Sequence, residues 1–104
     1  MGLLSFLGFG GSKIKTALRH GAIVIDVRTP QEFDQGKVPD SINIPVDRIA
    51  ANADRIKNMN RPVVLCCASG ARSSNASTIL KGKGLKDVYN GGSWYHVLKL
   101  LKNL

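Results

Sequence analysis

Short apolar, β-branched runs alternate along the chain with stretches whose apolar residues recur at helical spacing, the signature of an α/β architecture with a largely parallel sheet. Ile23-Val24-Ile25-Asp26-Val27-Arg28 is the first strong strand, and Ser41-Ile42-Asn43-Ile44 alternates and stops at Pro45. Val63 to Cys66 is a third strand and Leu85 to Tyr89 a fourth. Ile14 to His20 reads as a short amphipathic helix. A cap-like Thr29 and Pro30 introduce a helix over Gln31 to Gln35, which Gly36 ends. A longer helix is expected from Val46 to Asn58, with Ile49, Ala53 and Ile56 inward, and another from Ser73 to Lys81, with Ala76, Ile79 and Leu80 inward. Asn90-Gly91-Gly92 reads as a turn before a last helix that Ser93 caps and that carries Trp94, Val97, Leu98 and Leu101. These elements predict a central, mostly parallel sheet of about four to five short strands flanked by helices on both faces. No repeat, low-complexity linker or internal boundary interrupts them, and 104 residues suit one domain spanning 1–104.

The apolar run from Val63 delivers a thiol into the short loop Ala68-Ser69-Gly70-Ala71-Arg72-Ser73. Few side chains crowd such a loop, so its backbone N–H groups and the start of the next helix can point at the sulfur and favour thiolate. Cys66 and Cys67 are adjacent, and neighbours on a strand face opposite ways, so a structural disulfide between them is not expected. A reducing, cytoplasmic setting is the simpler home. With only these cysteines and the distant His20 and His96, no zinc set is foreseen.

Composition narrows the class further. Apolar residues make up 43% and charged residues 21%, which argues against disorder. The formal charge of +8 attracts anions of any kind, but the lysines are scattered without interleaved aromatics, so a solvated basic face is expected and nucleic-acid binding is not. Met1 to Phe9 is apolar, yet it lacks a preceding basic residue and a small-residue cleavage site, so no signal peptide is expected. It is also far shorter than the roughly 20 residues of a spanning helix. Phe6 stands where myristoylation would want Ser or Thr. Residues 1–11 are expected to be a docked or frayed start of the domain, without stable membrane insertion.

Three segments resemble the rhodanese-like sulfurtransferase family, over essentially the whole chain from about residue 12 to 104. Ile25-Asp26-Val27-Arg28-Thr29-Pro30-Gln31-Glu32-Phe33 is similar to the family's early Asp-Val-Arg signature, and Gly36-Lys37-Val38-Pro39-Asp40-Ser41-Ile42-Asn43-Ile44-Pro45 to its Gly-His-Ile-Pro-Gly segment. The third is the Cys-x-x-Gly-x-Arg-Ser loop from Cys67 to Ser73, with Asn90-Gly91-Gly92 and Trp94 downstream. Lys37 for the usual His and Asp40 for the usual Gly depart from the pattern, away from the thiol loop.

The resemblance implies a rhodanese-like fold and a Cys67 persulfide. On that resemblance Cys67 would take a sulfane sulfur from a donor such as thiosulfate and yield it to a thiol, cyanide or sulfur-relay acceptor, with no metal or organic cofactor, and a monomer is expected. Four residues separate Cys67 from Arg72, as in sulfurtransferase loops. Five separate Cys66 from Arg72, the count of cysteine phosphatases, but Leu65 replaces their His and no general-acid Asp follows. Cys67 is therefore the expected nucleophile, and Cys66 a small buried hydrophobe. Ala68 to Ser73 would supply backbone N–H groups to the sulfur. Ser73 would cap the helix, and Arg72 is either a fixed charge at the pocket or an outward anchor of the loop. A non-catalytic binding module and a phosphatase or arsenate-reducing relative are the alternatives. Asp26, Arg28 and Glu32 read as a structural ion-pair and capping set, Trp94 as core or pocket wall, and both histidines as partly exposed helix-end residues.

Overall fold

The structure, a computed structural model, describes residues 11–104. The N-terminal apolar run, Met1 to Phe9, and the expectation that residues 1–11 are a docked or frayed start lie outside the described residues, apart from Gly11, which opens the first helix. The elements are α1 (Gly11–Arg19), β1 (Ile23–Asp26), α2 (Pro30–Asp34), β2 (Ile42–Asn43), 3-10 turns at Val46–Arg48 and Ala50–Asn52, α3 (Ala53–Lys57), β3 (Val63–Cys67), α4 (Ala71–Gly82), β4 (Val88–Ser93) and α5 (Trp94–Lys102). The four strands form one sheet in the order β2-β1-β3-β4 with every pairing parallel.

β1 and β3 are buried at every position, which is why they read as unbroken apolar runs. Their alternate side chains enter two cores. On one face Ile23, Ile25, Val63, Leu65 and Cys67 pack with Ile49, Ala53 and Ile56 and with Ala76 and Leu80 of α4. On the other, Val24, Val64 and Cys66 pack with Ile14, Ala17 and Leu18 of α1 and Val97 of α5. Helices therefore cover both faces.

Several sequence expectations are corrected. The helix foreseen from Val46 to Asn58 is broken into the two 3-10 turns and α3. The Asn52 side-chain amide donates to the Arg48 carbonyl, while the Asn52 N–H turns to Ile49, so the regular ladder stops there. Asn90-Gly91-Gly92 is no turn but the body of β4. Gly91 is needed there for close approach: a Cβ would lie 2.6 Å from Val97 Cγ2 and 2.9 Å from Val64 Cγ1. Beyond it β4 bulges, its register passing from Leu65 opposite Asn90 to Cys67 opposite Ser93, with Gly92 at φ +81°. Ser93 then caps α5 by accepting from the His96 N–H. β4 begins at Val88 rather than Leu85, β3 runs on to Cys67, and α4 starts at Ala71, so its N-cap is Gly70 and Ser73, expected to cap it, lies inside the first turn with its hydroxyl facing the Gly70 carbonyl instead.

Candidate active site

β3 ends at Cys67 in the middle of the sheet, where the chain turns into α4, at the carboxyl ends of the strands where open α/β sheets hold their ligands. Gly70, at φ +103°, is the residue that lets the loop fold back over the sulfur. The Gly70 N–H donates to Cys67 Sγ at 2.9 Å, and Ser73 Oγ lies 3.4 Å from the same sulfur. Burial pushes the Cys67 thiol up, but bonds from the Ser73 hydroxyl and from the backbone N–H groups of Ser73, Gly70 and Ser69 more than offset this, and its pKa lies below the ordinary thiol value. Cys66 has no such donors. Burial, with Asp26 adding to it, drives its thiol far up.

Of the predicted loop residues, Gly70 and Ser73 are buried against the sulfur, whereas Ala68, Ser69 and Ala71 are exposed at the mouth. Arg72 is half-exposed and turned to α2, where Nη1 and Nη2 grip the Glu32 carboxylate at 2.7 and 3.0 Å. The bonds from Arg72, followed by the Thr29 N–H, hold the Glu32 carboxyl down at about 2. Glu32 also completes a capping box with Thr29, so one carboxylate ties the thiol loop to the start of α2.

Asp26 and Arg28 form a separate, buried pair, Nη2 to Oδ2 at 2.7 Å. Arg28 further donates to the carbonyls of Gly36 and Glu32, and its guanidinium stands 5.0 Å from the Trp94 ring centroid. Trp94 packs on Gly36, where a Cβ would come within 3.0 Å of Cη2. Arg28, Glu32, Gln35, Gly36, Trp94 and the exposed Tyr95 line a cleft of about 260 Å³ that shares Glu32 with the thiol loop. Asn43 donates to the carbonyls of Asp26 and Arg28 and so fixes the end of β1.

Asn90 completes the site from β4. Its Nδ2 donates to the Gly70 carbonyl at 3.2 Å, and its Oδ1 accepts from Ser73 Oγ at 2.7 Å and from the Gly92 N–H at 2.9 Å. Among the described residues no three His, Cys, Asp or Glu side chains gather as a metal site requires. No helix among them is long and apolar enough to cross a membrane.

The family profile described as Rhodanese-like domain matches residues 12–94. The chain belongs to the rhodanese-like family. Its similarity extends to the thiosulfate sulfurtransferase GlpE of Pseudomonas syringae pv. syringae, 39% identical over 75 residues that cover 71% of this chain and 70% of that one. Among solved structures, a rhodanese with anions from E. coli superposes with a TM-score of 0.67 at 31% identity, over 73% of this chain and 91% of that one. A rhodanese-like domain protein from Staphylococcus aureus gives 0.68 at 29%, over 85% and 86%. The chain is thus a rhodanese-type sulfurtransferase with the α/β fold of that family.

Within this rhodanese-like frame the two departures from the family pattern become local. Lys37 Nζ lies 4.8 Å from the Phe33 ring centroid, and Asp40 occupies φ +66°, the left-handed region where glycine is at ease. Sequence reasoning grouped Glu32 with Arg28, whereas its side chain bonds Arg72. It also read Asn90 as a turn. A polar residue closing an apolar strand directly before two glycines was the available sign that Asn90 faces the loop.

Proposed function

We propose that Cys67 is the nucleophile of a two-step sulfane-sulfur transfer with thiosulfate as donor. The observation that carries this reading is the set of donors on Cys67 Sγ, which favours the thiolate despite burial. The thiolate attacks the outer sulfur of thiosulfate, the S–S bond of the donor breaks, and sulfite leaves with the electron pair. A persulfide remains on Cys67, its negative charge on the terminal sulfur, which N–H groups of the Ala68 to Ser73 loop would stabilise. A thiophilic acceptor such as a thiol, cyanide or a sulfur-relay protein then attacks that terminal sulfur, and the Cys67 thiolate departs. Thiosulfate is favoured by the name of the Pseudomonas relative and by the chain's charge of +8. In this reading Arg72, engaged by Glu32, anchors the loop and lends a charge already half neutralised. Residues 1–104 act as one monomeric domain in the cytoplasm, where two free, adjacent cysteines stay reduced.

Mass spectrometry of the protein after incubation with thiosulfate tests the mechanism. One added sulfur atom is expected, removable by a thiol reductant and missing from Cys67→Ser. No adduct, or one that persists in Cys67→Ser, overturns it.

A further inference from the structure

The Ser73 hydroxyl has one hydrogen and three acceptors within reach. Asn90 Oδ1 lies at 2.7 Å, the Gly70 carbonyl at 3.2 Å and Cys67 Sγ at 3.4 Å. Which of them receives the hydrogen depends on the charge state of the sulfur, because a hydroxyl donates to one strong acceptor at a time. The Asn90 amide is not free to flip out of this competition. The Gly92 N–H can only donate, so the atom facing it is Oδ1. The Gly70 carbonyl can only accept, so the atom facing it is Nδ2. Asn90 therefore presents Oδ1 to Ser73 in a fixed direction, braced from two sides by backbone. Its Nδ2 bond also occupies the Gly70 carbonyl, which weakens the second competitor.

We propose that Asn90 is a positioning residue that acts through Ser73: its Oδ1 holds the Ser73 hydroxyl hydrogen whenever the Cys67 sulfur carries no charge, and releases it when that sulfur is anionic. In the thiol, Cys67 S–H donates to Ser73 Oγ while Ser73 O–H donates to Asn90. In the thiolate, the hydroxyl rotates and donates to Sγ, and Asn90 Oδ1 keeps the Gly92 N–H. The persulfide step, which rests on the function proposed above, moves the negative charge from Sγ to the terminal sulfur, and the hydroxyl hydrogen returns to Asn90. No proton leaves Ser73 at any stage; only its O–H bond turns. The Oδ1 acceptor thus favours the forms in which Sγ is neutral and eases the outward passage of charge that transfer requires.

The measurement is the thiol titration of the reduced protein without any donor, read by ultraviolet thiolate absorbance, so that a failure to form persulfide leaves it readable. The charged side chains around the site are paired, Arg72 with Glu32 and Asp26 with Arg28, and burial drives the neighbouring Cys66 thiol far up; all five residues are unchanged in every variant. Asn90→Ala removes the competing acceptor and lowers the midpoint by roughly half a pH unit to one unit. In a Ser73→Ala background the same substitution leaves the midpoint in place, because Asn90 acts only through the hydroxyl. An Asn90→Ala midpoint that is unmoved or raised, or an equal shift in both backgrounds, overturns the proposal and leaves Asn90 a structural brace. Should Asn90→Ala not fold, the wild-type protein decides. The side-chain carbonyl carbon of Asn90, followed by NMR, shifts with the thiol midpoint if its hydroxyl partner leaves, and a signal that stays still through the titration overturns the proposal.

Discussion

Cys66 and Cys67 share a peptide bond and complete burial, yet their thiols are driven in opposite directions. Alternation along β3 puts Cys66 in the core with Val24, Val64 and Val97 and brings Cys67 to the edge of the other core, under a loop of inward N–H groups. Each also stands near an ion pair of a different kind. Asp26 is opposite Cys66 in the β1–β3 register and is locked to Arg28 out of water, whereas Glu32 and Arg72 pair half-exposed beside the Cys67 loop. Burial alone does not make a thiol inert or reactive. Donors aimed at the sulfur decide it, and a shift of one residue along a strand is enough to gain or lose them.

The harshest way to probe this contrast is to remove each sulfur in turn. Cys67→Ser is expected to cut sulfur transfer from thiosulfate by more than about a thousandfold. Cys66→Ala is expected to leave the transfer rate nearly unchanged and cost roughly 1 kcal/mol in urea unfolding, as a small buried group is lost. A Cys66→Ala enzyme as dead as Cys67→Ser would erase the distinction between them.

The buried ion pair comes next. Asp26→Asn leaves the Arg28 cation in the core without its counter-charge and is expected to cost about 3–5 kcal/mol in chemical denaturation. A loss below about 1 kcal/mol would show that Gly36, Glu32 and Trp94 suffice to hold Arg28.

The exposed pair gives the smallest effect. Glu32→Gln is expected to cost less than about 1 kcal/mol at neutral pH, since solvent screens a half-exposed pair. The sign is fixed by the carboxyl's folded value of about 2, below its unfolded one. The stabilisation is fully present above the unfolded value near 4.3 and fades as pH falls from there toward 2. Stability curves of wild type and Glu32→Gln should therefore converge across that acid window, and parallel curves would mean that Glu32 contributes through shape alone.

Much of this frame is legible in the sequence. Runs such as Ile23-Val24-Ile25 and Val63-Val64-Leu65 have no polar alternation because helices cover both faces of the sheet, and that pattern is local. The Cys67 loop was legible for the same reason, since spacing to Gly70 and Arg72 is read within a few residues. Asn90 under Gly70, and Arg72 on Glu32, depend on where separate elements dock, and no local periodicity encodes that. The breaks in the Val46 to Asn58 segment leave no mark on the apolar spacing, because Ile49, Ala53 and Ile56 stay buried at helix-like intervals across the second 3-10 turn. Side-chain spacing reports which face is apolar, not whether the backbone ladder behind it is continuous.

The all-parallel order of the strands bears on how this chain is made. Ile25 pairs with Ile42, Ile23 with Val63 and Val63 with Val88, so no two of these four strands join through a hairpin and every rung between them closes a long loop. Such sheets form late relative to local helices. β3 needs β1 from one side of the sequence and β4 from the other, and Asn90 reaches the thiol loop only when β4 is laid down. During synthesis, then, Cys67 is translated before the strand that braces its loop, and the site stays incomplete until β4 docks beside β3.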